Sequence, residues 1–255
     1  MSLYVETLGC GPDLVLLHGW GMNGAVWRHV APRLAEDYCV HLVDLPGHGR
    51  SGMVEPYALD ELVRRIDRAF PLPLHVAGWS LGGAVALRWA LLQPGKIRSL
   101  TLVASTPCFV RRDDWQAAMP ADTLAQFTAQ LAGDWRGTLK RFIALQAMGD
   151  AEAKAVARTL TADLFSHGEP AQAALAQGLA ILRDTDLRGQ VAGVTCPVLL
   201  QYGDKDGLTR LGAAEWLARM LPHTDLIVHR GAAHAPFLSH AAEFVAAQQR
   251  FLARI

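Results

Sequence analysis

The chain has 255 residues, no formal net charge, 51% hydrophobic residues and 19% charged residues. That length suits one large α/β domain, with or without an inserted segment, and the composition is that of a globular protein rather than a disordered one. Zero net charge gives no overall attraction to nucleic acid or a membrane surface, and no apolar run is long enough to span a bilayer.

Neither the N-terminal sequence nor the cysteines indicate secretion or metal binding. The first residues lack the basic and apolar regions of a signal peptide. The cysteines are scattered and have neither zinc-site nor disulfide-framework spacing, and no glycine-rich nucleotide-binding loop is present. We therefore expect a cytoplasmic monomer with reduced, buried thiols, and with no metal and no cofactor. The cysteines are Cys10, Cys39, Cys108 and Cys196.

Short apolar runs alternate with helical patterns along the chain. An antiparallel edge strand is predicted within residues 2–8, and further strands at 14–17, 41–44, 74–77, 100–103, 198–202 and 226–229. Apolar residues at helical spacing predict helices at 25–34, 59–69, 81–93, 211–221 and 241–253. This alternation indicates an α/β fold with a mainly parallel sheet and helices on both faces.

The alternation is interrupted between residues 108 and 186. This stretch contains no convincing strand, and it is much longer than a crossover helix requires. Its patterns predict helices at 124–131, 139–148, 151–164 and 171–182. We therefore predict a core formed by residues 1–107 and 187–255, with residues 108–186 inserted as a helical cap over one edge of the sheet.

A glycine-flanked serine follows the predicted strand at 74–77. Residues 78–82 read G-W-S-L-G, between an apolar strand and a helix, which is the pattern of a nucleophile elbow around Ser80. Gly78 and Gly82 remove the Cβ atoms that would collide in such a tight turn. The N–H groups at the start of the following helix can stabilise an oxyanion.

A serine nucleophile needs a base and an acid that orients the base. Two aspartates, Asp204 and Asp206, follow the strand at 198–202, and His234 follows the strand at 226–229. Both aspartates are candidates for the acid; Gly207 gives a turn that can aim Asp206, and Asp204 is suited to binding local N–H groups. The other histidines near motifs are given supporting roles: His18 in a loop-supporting hydrogen bond, His48 exposed in a glycine-rich turn, His229 structural and His240 solvated.

Several ordered motifs give the chain a resemblance to the α/β-hydrolase family over nearly its whole length. They are H-G-W-G at 18–21, D-L-P-G-H-G-R-S at 44–51, G-D-K-D at 203–206 and A-H-A-P at 233–236, together with the serine elbow. The resemblance implies an α/β-hydrolase fold with Ser80 as nucleophile, His234 as general base and Asp206 as the orienting acid. It also implies an oxyanion hole formed by the N–H groups of Trp20 and Leu81.

Within that family, the chain resembles the methyl ester esterases that act on pimeloyl-acyl-carrier protein in biotin synthesis. The similar stretches are 14–23, 41–51, 78–83, 104–109, 141–149 and 232–237. The resemblance implies hydrolysis of the pimeloyl methyl ester to a carboxylate and methanol. It implies substrate contacts from Trp20, Ser80, Leu81, Phe142 and Gln146, and an apolar channel lined by Trp20, Trp79, Phe109, Trp115, Phe142 and Met148.

The expected partner is therefore an acyl-carrier protein, which is strongly acidic. Residues 135–160 contain five Lys or Arg residues against two acidic residues, a local net charge of +3. Arg141, Lys154 and Arg158 occupy places where the family's carrier-binding basic residues fall, and Gly137 lies where another is expected.

Three alternatives stay open: an esterase for short acyl esters, a carbon–carbon bond hydrolase, and a hydrolase-like receptor without enzymatic activity.

Overall fold

The computed structural model describes residues 2–255, and a seven-stranded sheet forms their centre. The strands are β1 (Val5–Leu8), β2 (Asp13–Leu17), β3 (Cys39–Val43), β4 (Leu74–Trp79), β5 (Ile97–Val103), β6 (Val198–Gly203) and β7 (Thr224–His229). Their order across the sheet is β1-β3-β2-β4-β5-β6-β7. β1 pairs antiparallel with β3 and all other pairs are parallel, which confirms the predicted sheet and its antiparallel edge.

The helices of the core follow the strands. They are α1 (Ala31–Leu34), α2 (Leu59–Asp67), α3 (Leu81–Leu92), α8 (Leu211–Met220), α9 (Pro236–Ser239) and α10 (Ala241–Leu252). β4 and β6 are buried along their whole length, as expected for strands covered on both faces. α3 is buried on nearly all sides, because apolar and small residues occupy almost all of its positions.

Four α-helices lie between β5 and β6 in the described residues, and we call residues 108–186 the inserted segment. The helices are α4 (Ala121–Gly133), α5 (Trp135–Ala147), α6 (Ala153–Asp163) and α7 (Gln172–Asp184). The two ends of the segment meet: Cys108 and Asp186 form an isolated bridge, and the Leu187 N–H donates to the Pro107 carbonyl at 2.8 Å. Its first residues, 108–120, contain two further isolated bridges instead of a helix.

Two predictions for the core are wrong in detail. The helix predicted at 25–34 is a 3₁₀ helix, Gly24–His29, followed by the short α1, which has a proline in its first turn. Asn23 accepts the Ala25 N–H and starts the tighter turn, and Pro32 has no N–H to continue it. Cys10 is exposed and Cys39 is half-buried, so only Cys108 and Cys196 match the expectation of buried thiols.

Among the helices in residues 2–255, none has the length and apolar character needed to cross a bilayer.

Candidate active site

The predicted site residues meet at the edge of the sheet where the parallel strands end. Ser80 follows β4 directly, the loop with His18 and Trp20 follows β2, Asp206 follows β6 and His234 follows β7. Because the carboxyl ends of parallel strands lie at the same edge, four segments that are distant in sequence become neighbours there.

Ser80 occupies a strained turn. Its φ is +55°, a conformation that costs a non-glycine residue free energy. A Cβ at Gly78 would lie 2.2 Å from the Gly82 carbonyl oxygen, and a Cβ at Gly82 would lie 2.4 Å from the Leu17 carbonyl oxygen. The elbow can therefore form only with glycine at both positions. Ser105 stabilises the turn by donating to the Ser80 carbonyl at 2.9 Å.

Asp206, and not Asp204, is the carboxylate beside His234. His234 Nδ1 lies 2.8 Å from Asp206 Oδ2, and both side chains are buried. Asp204 instead accepts the Gly231 N–H at 2.6 Å, and this N–H lowers the pKa of Asp204. A carboxylate accepts hydrogen bonds, so His234 donates from Nδ1 and keeps a free lone pair on Nε2. That Nε2 atom is buried and has no hydrogen-bond partner in residues 2–255, Ser80 Oγ included.

Thr209 supports the same carboxylate and was missed in the sequence. Its Oγ1 donates to Asp206 Oδ2 at 2.7 Å and lies 3.4 Å from His234 Nδ1. The N–H groups of Leu208 and Thr209 donate to Asp206 Oδ1 at 2.8 and 3.0 Å. These bonds fix the direction of the carboxylate. The signal was a threonine three residues after an aspartate in a turn.

The loop that carries His234 is held from two sides. Trp79 Nε1 donates to the His234 carbonyl at 2.8 Å, and the Trp79 ring is completely buried. From the inserted segment, the Gln146 carbonyl accepts the His234 N–H at 3.2 Å. Asp150 Oδ2 accepts the Ala233 N–H at 2.8 Å. No sequence pattern pointed to Asp150.

The loop after β2 is ordered by a neutral histidine. His18 Nε2 accepts the Leu45 N–H at 2.9 Å, and Nδ1 donates to the Gly19 carbonyl at 2.8 Å. Burial, and then the nearby His48, lower the pKa of His18 well below its usual value, so it stays uncharged. A Cβ at Gly19 would lie 3.3 Å from the Ser80 Cβ, which places this loop against the serine.

One predicted oxyanion donor, Leu81, follows Ser80 in the chain, and the other, Trp20, lies in the adjacent loop. Leu81 is the first residue of α3, so its N–H lacks an acceptor within the helix. In the described part of the chain, neither the Leu81 N–H nor the Trp20 N–H has a hydrogen-bond acceptor. Two unpaired donors beside a serine can stabilise a developing negative charge.

Trp20, Phe142 and Gln146 lie at one contact between the core and the inserted segment. The Trp20 ring packs edge-on against Phe142 at 4.9 Å between centroids, and its Nε1 donates to the Leu175 carbonyl at 2.9 Å. Gln146 is 2% exposed, so its side chain is buried at this contact. Its Oε1 atom has no hydrogen-bond partner in residues 2–255.

A small, mostly apolar cavity adjoins Ser80. Of the five predicted substrate-contacting residues, only Ser80 lines it; of the six predicted channel residues, only Phe109 does. Trp115 packs against Trp216 in a separate cluster, and Met148 is 60% exposed. The cavity has about 10 Å³ of space for a water-sized sphere, enough for about one water molecule. Its lining residues are Ser80, Ala84, Thr106, Pro107, Phe109, Ile181, Leu182, Thr185 and Thr209.

The predicted carrier-binding residues are exposed on α5 and α6. Lys154 and Arg158 lie one turn apart on the side of α6 opposite its buried residues, and neither forms a salt bridge within residues 2–255. Arg141 donates to Thr138 Oγ1 at 2.9 Å and lies 3.6 Å from Asp134. Asp134 also accepts the Gly137 N–H at the start of α5, and a Cβ at Gly137 would collide with its carboxylate.

The remaining histidines lie outside the site. His48 is completely buried, so the expectation that it is exposed is wrong, and burial lowers its pKa to about 4. His229 Nε2 lies 3.0 Å from Gln201 Oε1 between β7 and β6, a structural role as expected. His240 is only partly exposed, and its Nε2 lies 3.1 Å from the Arg230 carbonyl.

Comparison with known proteins agrees with this geometry. Residues 14–247 match the model of the alpha/beta hydrolase family. The pimeloyl-[acyl-carrier protein] methyl ester esterase of Chromobacterium violaceum is 45% identical over 97% of this chain and 96% of its own. The enzyme of the same name from Aeromonas salmonicida is 46% identical over 96% and 97%.

Solved structures show the same fold at lower identity. An esterase from Exiguobacterium antarcticum has a TM-score of 0.87 and 24% identity, covering 98% of this chain and 94% of its own. A bromoperoxidase from Bacillus anthracis has a TM-score of 0.90 and 21% identity, covering 98% and 95%. The family match spans most of the sequence, and the relatives are similar over almost all of it. The chain therefore belongs to the alpha/beta hydrolase family.

Proposed function

We propose that this protein hydrolyses the methyl ester of a pimeloyl group carried on acyl-carrier protein, releasing methanol and leaving a free carboxylate. The chain is a carboxylic ester hydrolase. The substrate is that named for relatives 42–46% identical over nearly the whole chain, the inserted segment included. A place in biotin synthesis follows from this reaction, as the sequence motifs imply.

The chemistry rests on one observation, the buried His234 with Asp206 on Nδ1 and an unpartnered Nε2. In the proposed mechanism Ser80 Oγ attacks the ester carbonyl carbon while His234 Nε2 takes its proton. The carbonyl oxygen becomes an oxyanion that accepts from the N–H groups of Leu81 and Trp20.

The reaction is then completed in two stages. In the first, the carbon–oxygen bond to the methoxy group breaks, and His234 gives its proton to the departing methoxy oxygen, which leaves as methanol. In the second, water attacks the acyl group on Ser80 while His234 takes a proton from it; the bond to Ser80 Oγ then breaks, and His234 returns the proton to Oγ as the free acid is released. Asp206 stabilises the charged imidazole in both stages, and no metal or cofactor takes part.

The cavity beside Ser80 favours an aliphatic acyl chain. Its lining is mostly apolar, with threonine hydroxyl groups between the apolar side chains. Space for about one water molecule cannot hold a seven-carbon chain. Entry therefore requires Ile181 and Leu182 on α7, or residues 106–109, to move, and the inserted segment acts as a lid in this proposal.

The carrier protein is proposed to dock on the exposed basic residues of α5 and α6. Lys154 and Arg158 are free to pair with acidic side chains, whereas Arg136 is neutralised by Glu169 at 2.6 Å. Charges at the rim of an interface mainly raise the rate of association, so their loss should be specific to the carrier-linked substrate.

The test is hydrolysis of methyl pimeloyl-acyl-carrier protein compared with a small soluble methyl ester. The protein should turn over the carrier-linked ester, and the combined change Arg141→Glu, Lys154→Glu and Arg158→Glu should lower its kcat/KM about tenfold or more. Turnover of the small ester should be unchanged. A matched control reverses three exposed arginines of the core, Arg33, Arg68 and Arg98, with the same change in net charge.

Three results would contradict parts of this proposal. No turnover of the carrier-linked ester would reject the substrate. Equal loss in the test and control variants would reject the docking face. Equal efficiency on short acyl esters and on the carrier-linked ester would favour an unspecialised esterase. Monomeric state and cytoplasmic location stay predictions from the sequence.

A further inference from the structure

A second cluster of reactive side chains lies at the amino ends of β2 and β3, at the opposite end of the parallel strands from Ser80. Asp13 and Cys39 are the first residues of β2 and β3 and are paired in register. His41 lies two residues further along β3, on the same face as Cys39. One carboxylate oxygen, the Cys39 thiol and one ring nitrogen of His41 all lie within 4.8 Å of one another.

The His41 ring lies between two polar side chains, one at each ring nitrogen. Nε2 lies 2.8 Å from Asp13 Oδ1, and Nδ1 lies 3.0 Å from Thr7 Oγ1. Thr7 is the residue paired with His41 in the antiparallel β1–β3 ladder. A hydrogen bond to the second ring nitrogen fixes the tautomer and direction of a histidine that coordinates a metal through the first.

A second thiol is carried by the turn that precedes β2. The turn that carries Cys10 connects β1 to β2 and is tied to β3 by the Cys39 N–H, which donates to the Pro12 carbonyl at 3.0 Å. Burial, then the Asp13 carboxylate and the Cys10 thiol, raise the pKa of Cys39. Cys10 is exposed and can reorient, so it is available as a fourth ligand.

We propose that Asp13, Cys39 and His41 bind a zinc ion, with Cys10 completing the coordination. Thiolate, imidazole and carboxylate are the ligands that zinc takes in proteins, whereas magnesium and calcium prefer oxygen ligands alone. Ligand atoms around tetrahedral zinc are roughly 3.3–3.8 Å apart, given bond lengths of about 2.0–2.3 Å. The cluster therefore needs only small side-chain movements to bind the ion.

The site stabilises the amino ends of β2 and β3 and takes no part in ester hydrolysis. It connects the turn before β2 with the first residues of β2 and β3. At about 3.3 Å per residue it is separated from the end of β2 by roughly 13 Å. The motif spacing in the sequence predicted no metal, because these ligands come together through strand pairing rather than through a short cysteine–histidine motif.

The test uses tag-free protein treated with a chelator and then titrated with Co²⁺, which reports thiolate coordination by its visible and near-ultraviolet absorption. The wild type should bind one Co²⁺ with thiolate-to-metal absorption, and one equivalent of Zn²⁺ should displace it. Cys39→Ser and His41→Gln should each abolish the spectrum. Cys196→Ser, which removes a buried thiol elsewhere, should leave it unchanged.

Two further variants test the details. Thr7→Val removes the hydrogen bond to His41 Nδ1 without adding bulk and should weaken metal affinity about 10–100-fold. Cys10→Ser should shift the spectrum and lower the affinity while binding persists. Zn²⁺ should raise the Tm of the wild type and not that of Cys39→Ser. Absence of a thiolate–cobalt spectrum in the wild type, or an unchanged spectrum in Cys39→Ser, would overturn the proposal.

Discussion

The core and the inserted segment are held together in different ways, although both reach the candidate active site. Within the core, Asp206 and His234 are fixed by several short bonds from neighbouring loops and by burial. The inserted segment makes polar contacts with the core at two corners, one between α6 and α7 and one after α5, and also through the Trp20 ring. The residues proposed to do the chemistry are therefore fixed mainly by the core, and Gln146 and Asp150 of the segment add two bonds to the loop of His234.

The two corners differ in what they contact. At the first, between α6 and α7, Asn23 donates to the Asp163 and Leu164 carbonyls and His29 lies 2.8 Å from the Asp163 carboxylate. At the second, after α5, Gln146 and Asp150 bind the loop of His234. Only the second corner can transmit a movement of the segment directly to the proposed base.

The largest effect is expected from Ser80→Ala, because the core would then lack its nucleophile. We expect kcat for any ester to fall roughly 10⁴–10⁶-fold, with the residual rate due to the oxyanion donors and substrate binding. The variant should keep its Tm, since alanine relieves no packing and Ser80 Oγ makes no hydrogen bond in residues 2–255. Steady-state hydrolysis of the carrier-linked ester measures this, and undiminished turnover would reject the serine mechanism.

Asp206→Asn should cost about 10⁴-fold in kcat, because His234 would lose the carboxylate that holds its tautomer. Asp204→Asn is the matched control two residues away. Within residues 2–255 the Asp204 side chain binds only the Gly231 N–H and Lys205, so its loss should change kcat less than about tenfold. If the two variants lost activity equally, the assignment of the acid would be wrong. Circular dichroism of both proteins checks that the fold is kept.

The sheet and the elbow around Ser80 could be predicted because each depends on local patterns, whereas the choice of Asp206 over Asp204 came from the resemblance to the family. Apolar runs of four to seven residues define the strands, and glycine at 78 and 82 is required by backbone collisions. The order of these motifs along the chain then brings the side chains to the same edge.

Contacts between segments that are distant in sequence could not be predicted from such local patterns. Asp150 supports the loop of His234 from the inserted segment, 83 residues away in sequence, and Trp79 faces His234 rather than the cavity. His48 is buried because the turn at 44–51 folds against His18, with the two rings 5.3 Å apart. A glycine-rich sequence indicates a turn but not which face of it packs inward.

A smaller effect is expected on the unfolding free energy of the core when the pH is lowered. Burial lowers the pKa of both His48 and His229 to about 4, whereas an unfolded histidine titrates near about 6.5. Between these pH values the unfolded state binds more protons, so the stabilisation is present above pH 6.5 and is lost as the pH falls towards 4. From pH 7 to pH 5, each histidine should remove about 2 kcal/mol of unfolding free energy.

Urea unfolding of His229→Gln at the two pH values tests this. Glutamine can still donate to Gln201 but does not titrate, so the variant should lose about 2 kcal/mol less than the wild type on acidification. His223→Asn is the control, because His223 is exposed and asparagine tolerates its positive φ. An identical pH dependence in His229→Gln and the wild type would contradict the account.

The smallest effect should be a difference in kcat between variants at the two corners of the inserted segment. Asp150→Asn keeps the size of the side chain but leaves one oxygen for the two N–H groups, those of Ala233 and Glu152, that Asp150 now accepts. A looser His234 should lower kcat about 3–10-fold, the cost of one weakened hydrogen bond. Asp163→Asn weakens the other corner, which contacts neither Ser80 nor His234. Its kcat on a small ester should match the wild type, because the base stays in place. Equal losses in both variants would mean that the segment acts on the site as one rigid lid rather than through the second corner.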